Sequence, residues 1–328
     1  MLLSLESSQS PEFILFAQHG WADTNRAIAK LANALATPKT LVVTPNLGYL
    51  KTWLRIEPLI AQVEQKAIAI TASYPDTPIK IIGHSMGGLI WLEVLNRNPQ
   101  LRSRIHSLVL IASPIGGADL ARIIDPLGIG IGIARDLGIN RREIAQRIAR
   151  KIPTLVIAGD IDRGSDGTIT VETTKCDLSK FVCLPGISHP ALKNHPALID
   201  IIRDFWLNPS VTVASEADLS AFLIQRLRSI PGMTDAHRRG FSRSTVHIAF
   251  DNGISIRLWT NPFQVQHVFL ANDQGDYLYS GFVGWLHAKS LHQTLAAIER
   301  EYSEQLTNIN QSGRSRNLLS FLGQDFGK

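Results

Sequence analysis

The hydroxyl of Ser85 is the side chain whose neighbours best equip it to act as a nucleophile. It stands within Gly83, His84, Ser85, Met86, Gly87 and Gly88, after the apolar run Ile79, Lys80, Ile81, Ile82 and before a helical pattern beginning at Leu89. That order predicts a strand, a sharp turn and a helix. Small residues at Gly83 and Gly87 let strand and helix approach closely, so a serine between them is held on a tight bend with its hydroxyl above the sheet edge. The backbone N–H of Met86 falls at the helix start and points toward whatever Ser85 attacks. One turn therefore offers a nucleophile together with half of an oxyanion hole.

The elements around this turn follow one grammar. Phe13 to Ala17 is a short continuous apolar run, as expected of a strand buried on both faces. A helical pattern with Ile28, Leu31 and Leu35 on one face follows, then a second strand from Thr40 to Thr44. Leu50 to Ala72 reads as one longer helix with Leu54, Leu59, Val63 and Ala67 inward, closed by Tyr74, Pro75, Asp76, Thr77 and Pro78. After the helix from Leu89 to Asn98, strands are expected at Ser107 to Ala112, Pro153 to Ala158 and Phe181 to Leu184, and a last helix runs toward Trp206. Alternating strands and helices predict an α/β fold with a mostly parallel, doubly wound sheet.

These residues resemble the α/β-hydrolase superfamily, and within it the serine lipase and esterase branch with a GHSMGG turn. The resemblance spans about residues 11 to 207. It implies a catalytic serine, acid and histidine in that chain order, each on a loop after a strand. His189, in Gly186, Ile187, Ser188, His189, matches the expected histidine loop, and His195 is the weaker match, since Pro196 opens the final helix. For the acid, Asp162 and Asp166 compete. Asp162 lies three positions after Gly159, a spacing common in the wider superfamily, whereas Asp166, Gly167, Thr168, Ile169, Thr170, Val171 resembles the Asp-Gly-x-Val-x-Val passage of the lipase branch. Asp166 is the preferred carboxylate. The resemblance also places the second oxyanion donor on the backbone N–H of Trp21, after His19 and Gly20, with the His19 side chain shaping the turn.

Composition narrows the classes. At 328 residues and 45% hydrophobic, the chain can bury a substantial core in one or two domains. The formal charge of +5 is scattered rather than gathered, so no nucleic-acid partner is expected. Cys176 and Cys183 have no metal or redox spacing and are expected to be free thiols. Neither a secretory leader nor a transmembrane run is read, and a soluble, cytoplasmic protein is expected. Gly128-x-Gly130 lacks a preceding strand and is a poor dinucleotide fingerprint, so no cofactor is expected. The isoleucine-rich stretch 123–133 reads equally as a small apolar cap over the site or as a core helix.

Beyond Pro209 the grammar changes. A helix at Asp218 to Ser229, four strand-like runs (244–250, 254–260, 264–270, 276–282) and a helix from Ala288 to Asn308 predict a small α+β module over residues 210–328, with Asp251, Asn252, Gly253 as a hairpin turn. His247, His267, His287 and His292 lack metal-ligand spacing, and the tail after Gln311 reads as mobile. The expectation is therefore a serine hydrolase domain over 1–209, cleaving a small-molecule ester or lipid-like substrate without metal or cofactor. Thioester or amide cleavage, and a non-catalytic protein binding a partner through the C-terminal module, are the alternatives.

Overall fold

The computed structural model describes residues 10–117, 132–212 and 218–307. The chain divides into two compact units, Met1–Ala214 and Ser215–Lys328. In the first, six strands lie in the order β2-β1-β3-β4-β5-β6: β1 (Phe13–Gln18), β2 (Thr40–Val43), β3 (Ile79–His84), β4 (Ile105–Ile111), β5 (Thr154–Asp160) and β6 (Lys180–Pro185). All five pairings are parallel. The order runs outward in both directions from β1 and β3, which requires crossovers on both faces.

Strand alternation then assigns each face its helices. Phe16 and Ile81 face the core shared with α2 (Glu57–Ser73) and α3 (Met86–Arg97), where Leu59, Val63, Leu89 and Trp91 are buried. Leu15, Ile82 and Val109 face the other way, onto Ile28 and Leu31 of α1 (Asn25–Leu35) and Leu198 and Ile202 of the last helix in this unit, Ala197–Leu207. The α/β, doubly wound sheet expected from the alternating pattern is thus what the chain forms.

The expectation of one helix from Leu50 to Ala72 is corrected. A 3-10 turn at Leu50–Trp53 stops before α2 begins at Glu57, and Leu54 is 67% exposed rather than inward. Two features break the pattern. Pro58 suits a helix's first turn but not its interior, and the amide of Ile56 donates to Asp136 Oδ2 at 2.9 Å instead of to a preceding turn. Arg55 joins the same carboxylate through Nε at 2.8 Å and Nη2 at 3.1 Å, fastening this segment to α4 (Ile133–Leu137). A further helix, α5 (Arg142–Ala149), leads into β5. Most of the isoleucine-rich stretch, and so the choice between cap and core helix, lies outside the described residues, as does the tail after Gln311.

The second unit is an antiparallel sheet in the order β7-β11-β10-β9-β8, formed by β7 (Met233–Asp235), β8 (Thr245–Ala249), β9 (Ser255–Thr260), β10 (Gln266–Ala271) and β11 (Tyr277–Val283). Helix Leu219–Arg228 and helix Ala288–Glu301 place Leu223, Leu227, Leu291, Leu295 and Ile298 against Ile256, Val268 and Leu270. The short strand β7 was not expected. The terminal helix ends at Glu301, before the expected Asn308, and Leu306 forms a bridge with Phe250.

Candidate active site

Ser85 lies between β3 and α3 with φ 54° and ψ −125°, a backbone region that an L side chain enters only under strain. The neighbouring glycines show why the strain is held. A Cβ on Gly83 would lie 2.5 Å from Gly88 Cα, and one on Gly87 would lie 2.3 Å from the carbonyl oxygen of Gln18. Strand and helix therefore touch main chain to main chain, and the serine amide donates to Ile111 O at 2.8 Å to hold the bend in the sheet. Met86 is the first residue of α3, so its N–H is among those without an acceptor inside the helix.

The loop after β1 closes over this turn. A Cβ on Gly20 would meet Ser85 Cβ at 2.8 Å, His84 O at 2.9 Å and Met86 N at 3.1 Å, so the peptide leading to Trp21 lies beside the first turn of α3. His19 shapes the loop from beneath. Its Nδ1–H donates to Gly20 O at 3.0 Å, and its Nε2 accepts from the amide of Leu47 at 3.0 Å. Both ring nitrogens are thereby used in the neutral form, and burial lowers the His19 pKa from its ordinary value. Downstream, the amide of Ala22, at φ 50°, donates to Thr52 Oγ1 at 3.0 Å, and the Trp21 ring packs on Trp53 with centroids 4.4 Å apart. The periodicity reading, which placed Thr52 in a regular helix, gave no sign of this support.

His189 follows β6. Its Nε2 is 3.1 Å from Ser85 Oγ and its Nδ1 is 2.7 Å from Asp166 Oδ2. A carboxylate can only accept, so Nδ1 carries the proton and Nε2 is free to take one from the hydroxyl. Asp166 is buried, and its other oxygen accepts the amides of Thr168 at 2.9 Å and Ile169 at 2.7 Å. Gly167, at φ 89°, makes that turn. Asp162 does not reach the histidine: its Oδ1 accepts from Ser165 N at 2.8 Å and Ser165 Oγ at 2.9 Å. His195 likewise stays outside the cluster, where its Nδ1 accepts the amide of Ala197 at the start of the last helix.

One contact was not legible at all. His84, inside the serine turn, is fully buried and places Nε2 3.3 Å from the carbonyl oxygen of His189, its ring 4.9 Å from the His189 ring. Burial, and then the neighbouring His189 and Lys193, push its pKa well below the ordinary histidine value. His84 is therefore a neutral donor beneath the histidine loop.

A strained serine at a strand–helix turn, centred on a doubly wound parallel sheet, decides the architecture. The fold is that of the α/β-hydrolases. No family model matches the chain, and no curated protein does. Among solved structures, Bacillus licheniformis lipase BlEst2 in its mature form is similar at 13% identity and a TM-score of 0.47, over 60% of this chain and 93% of that one. RedJ, a thioesterase from the prodiginine biosynthetic pathway in Streptomyces coelicolor, is similar at 17% identity and a TM-score of 0.40, over 60% and 86%. A bromoperoxidase from Bacillus anthracis is similar at 16% identity and a TM-score of 0.44, over 60% and 92%.

Among the described residues, no group of three or more histidine, cysteine or carboxylate side chains could hold a metal ion. Cys176 and Cys183 are not joined in a disulfide. No described helix is long and apolar enough to cross a membrane.

Proposed function

We propose that this chain is a serine hydrolase that cleaves carboxylic esters through an acyl-enzyme. His189 Nε2 takes the Ser85 proton as Oγ bonds to the ester carbonyl carbon, giving a tetrahedral oxyanion. As that intermediate collapses, the imidazolium returns the proton to the leaving alcohol and the acyl group stays on Ser85. Water repeats the sequence with the acyl-enzyme and releases the acid. Asp166 keeps the imidazole in the tautomer that leaves Nε2 bare and stabilises the imidazolium once it forms. The amides of Met86 and Trp21 serve as oxyanion donors, each contributing about 3 to 4 kcal/mol of transition-state stabilisation in sites of this kind.

The observation that carries this reading is the unbroken hydrogen-bond line from Ser85 Oγ through His189 to Asp166. A protein that used the fold only to bind would have no physical need for a strained serine aligned with an oriented imidazole. Trp21, with Trp53 packed on it, puts apolar surface next to the serine turn, which favours apolar over charged acyl groups. The test is labelling of the intact chain with a fluorophosphonate probe, read by mass at Ser85. Stoichiometric labelling that is lost in Ser85→Ala is expected, and a folded chain that does not label would refute the proposal.

A further inference from the structure

The sheet of the C-terminal unit has two unlike ends. Ala271 pairs with both Ser255 and Tyr277, so the β8–β9 and β10–β11 turns share one end, which carries Asp251, Asp273 and Asp276. Gln266 pairs with both Thr260 and Val283, so the β9–β10 turn and the segment after β11 share the other. Three large apolar side chains stand in water there: Phe263 is 75% exposed, Trp285 72% and Leu286 94%.

The tip is built rather than loose. Asn261 Oδ1 accepts the amides of Phe263 at 2.9 Å and Val265 at 3.0 Å, Gln264 takes φ 61°, and the loop is closed by Asn261 N donating to Val265 O at 3.0 Å. Across the gap, Trp285 Nε1–H donates to Phe263 O at 3.0 Å, locking the two projecting segments together. Its charge is one-sided too. Residues 252–272 and 277–298 contain no aspartate or glutamate, while Lys289 opens the terminal helix and the Arg243 guanidinium lies 4.3 Å over the Trp259 ring, next to the β9 end.

From this we propose that the tip formed by Phe263, Trp285 and Leu286 docks the protein onto an anionic lipid bilayer surface. Tryptophan favours the bilayer interface, Phe and Leu gain by entering the acyl boundary, and nearby Lys and Arg remain with the phosphates above it. The aspartate-bearing turns at the far end of the sheet are kept away from the negative surface. A second copy of the chain fits poorly. Two aromatic side chains at about 200 Å² each and one smaller leucine offer less than about 600 Å², short of the roughly 800 Å² per partner of a standard-size interface. The proposal stands independently of the chemistry at Ser85.

The experiment is co-pelleting of the full chain with phosphatidylcholine vesicles, with and without phosphatidylglycerol, at low and high salt. Wild type is expected to pellet with the phosphatidylglycerol vesicles and to release in high salt. The triple variant Phe263→Ser, Trp285→Ser, Leu286→Ser should partition at least about tenfold less. All three residues are solvent-exposed, and an unchanged thermal transition of the variant shows that it remains folded. Failure of wild type to pellet, equal pelleting of the variant, or a self-association of wild type that the variant abolishes would each overturn the proposal.

Discussion

The main-chain amide of His189 donates to the carbonyl oxygen of Asp166 at 2.9 Å, while the His189 imidazole meets the carboxylate of that same residue at 2.7 Å. Backbone and side chain thus fix the histidine to one partner at two points. The loop after β6 has no freedom to bring the imidazole to another acid without breaking both bonds.

Asp166→Asn keeps the shape and removes the charge. The new amide presents an N–H toward His189 Nδ1, forcing the ring proton onto Nε2, which can then no longer take one from Ser85 Oγ. Turnover of a simple ester should fall by about 10⁴. Asp162→Asn, which preserves an acceptor for Ser165, should retain most of the activity. The reverse ranking on folded variants would move the role to Asp162.

Removal of the proposed nucleophile has two separable consequences. Ser85→Ala should abolish ester hydrolysis, a loss of about 10⁶ in turnover, and keep the backbone strain because a Cβ remains. Ser85→Gly should be equally inactive but should melt no lower than Ser85→Ala, since glycine accepts φ 54° without penalty. Thermal denaturation of the two variants side by side gives the comparison.

Such strain is foreseeable from a serine between glycines, and so was much of the sheet, because buried parallel strands are short apolar runs that the chain spells out one by one. The competition between Asp162 and Asp166 could be narrowed but not closed from sequence, since both follow β5 and only the turn at Gly167 aims one of them. The break at residues 54–56 was hidden. It depends on Asp136, some 80 positions away, whose carboxylate takes the amide that a continuous helix would have used. His84 was hidden for a similar reason, as its acceptor is the His189 carbonyl, 105 residues distant, and no local pattern announces such a bond.

Gly87 offers a test of how tightly the loop after β1 is coupled to the serine turn. An alanine methyl would stand 2.3 Å from Gln18 O and 2.7 Å from His19 O, both backbone atoms that cannot swing away. Gly87→Ala should cost about 1 to 3 kcal/mol or more in stability. It should also slow fluorophosphonate labelling beyond what the fraction unfolded explains, because the displaced segment leads to Trp21. Wild-type stability in this variant would show that the loop after β1 yields to the added methyl without cost and is not coupled to the serine turn.

The unit boundary suggests that a chain ending at Ala214 can fold by itself, since the six-stranded sheet and every residue of the proposed triad lie before it. Cooperative unfolding and labelling at Ser85 are expected of such a chain. An insoluble or unlabelled product would mean that residues after Ala214 complete the core or the site.

Acid should weaken the fold through its buried imidazoles. His84 and His19 both have pKa values lowered by burial, His84 the more so. In the unfolded chain each takes up a proton near pH 6.5, whereas in the native state each resists protonation until the pH is lower. Below 6.5 the unfolded state therefore binds more protons than the native one, so stability falls as pH drops and is preserved above it. His106 and His247 are shifted in the same direction by burial, so the slope for wild type is a composite. His84→Gln separates the largest contributor, because a glutamine amide can still donate to His189 O without titrating. Between about pH 7.5 and about pH 5.5, the melting temperature of wild type should fall further than that of His84→Gln. Equal falls in the two proteins, each reversible at both pH values, would remove His84 as a source of the acid sensitivity.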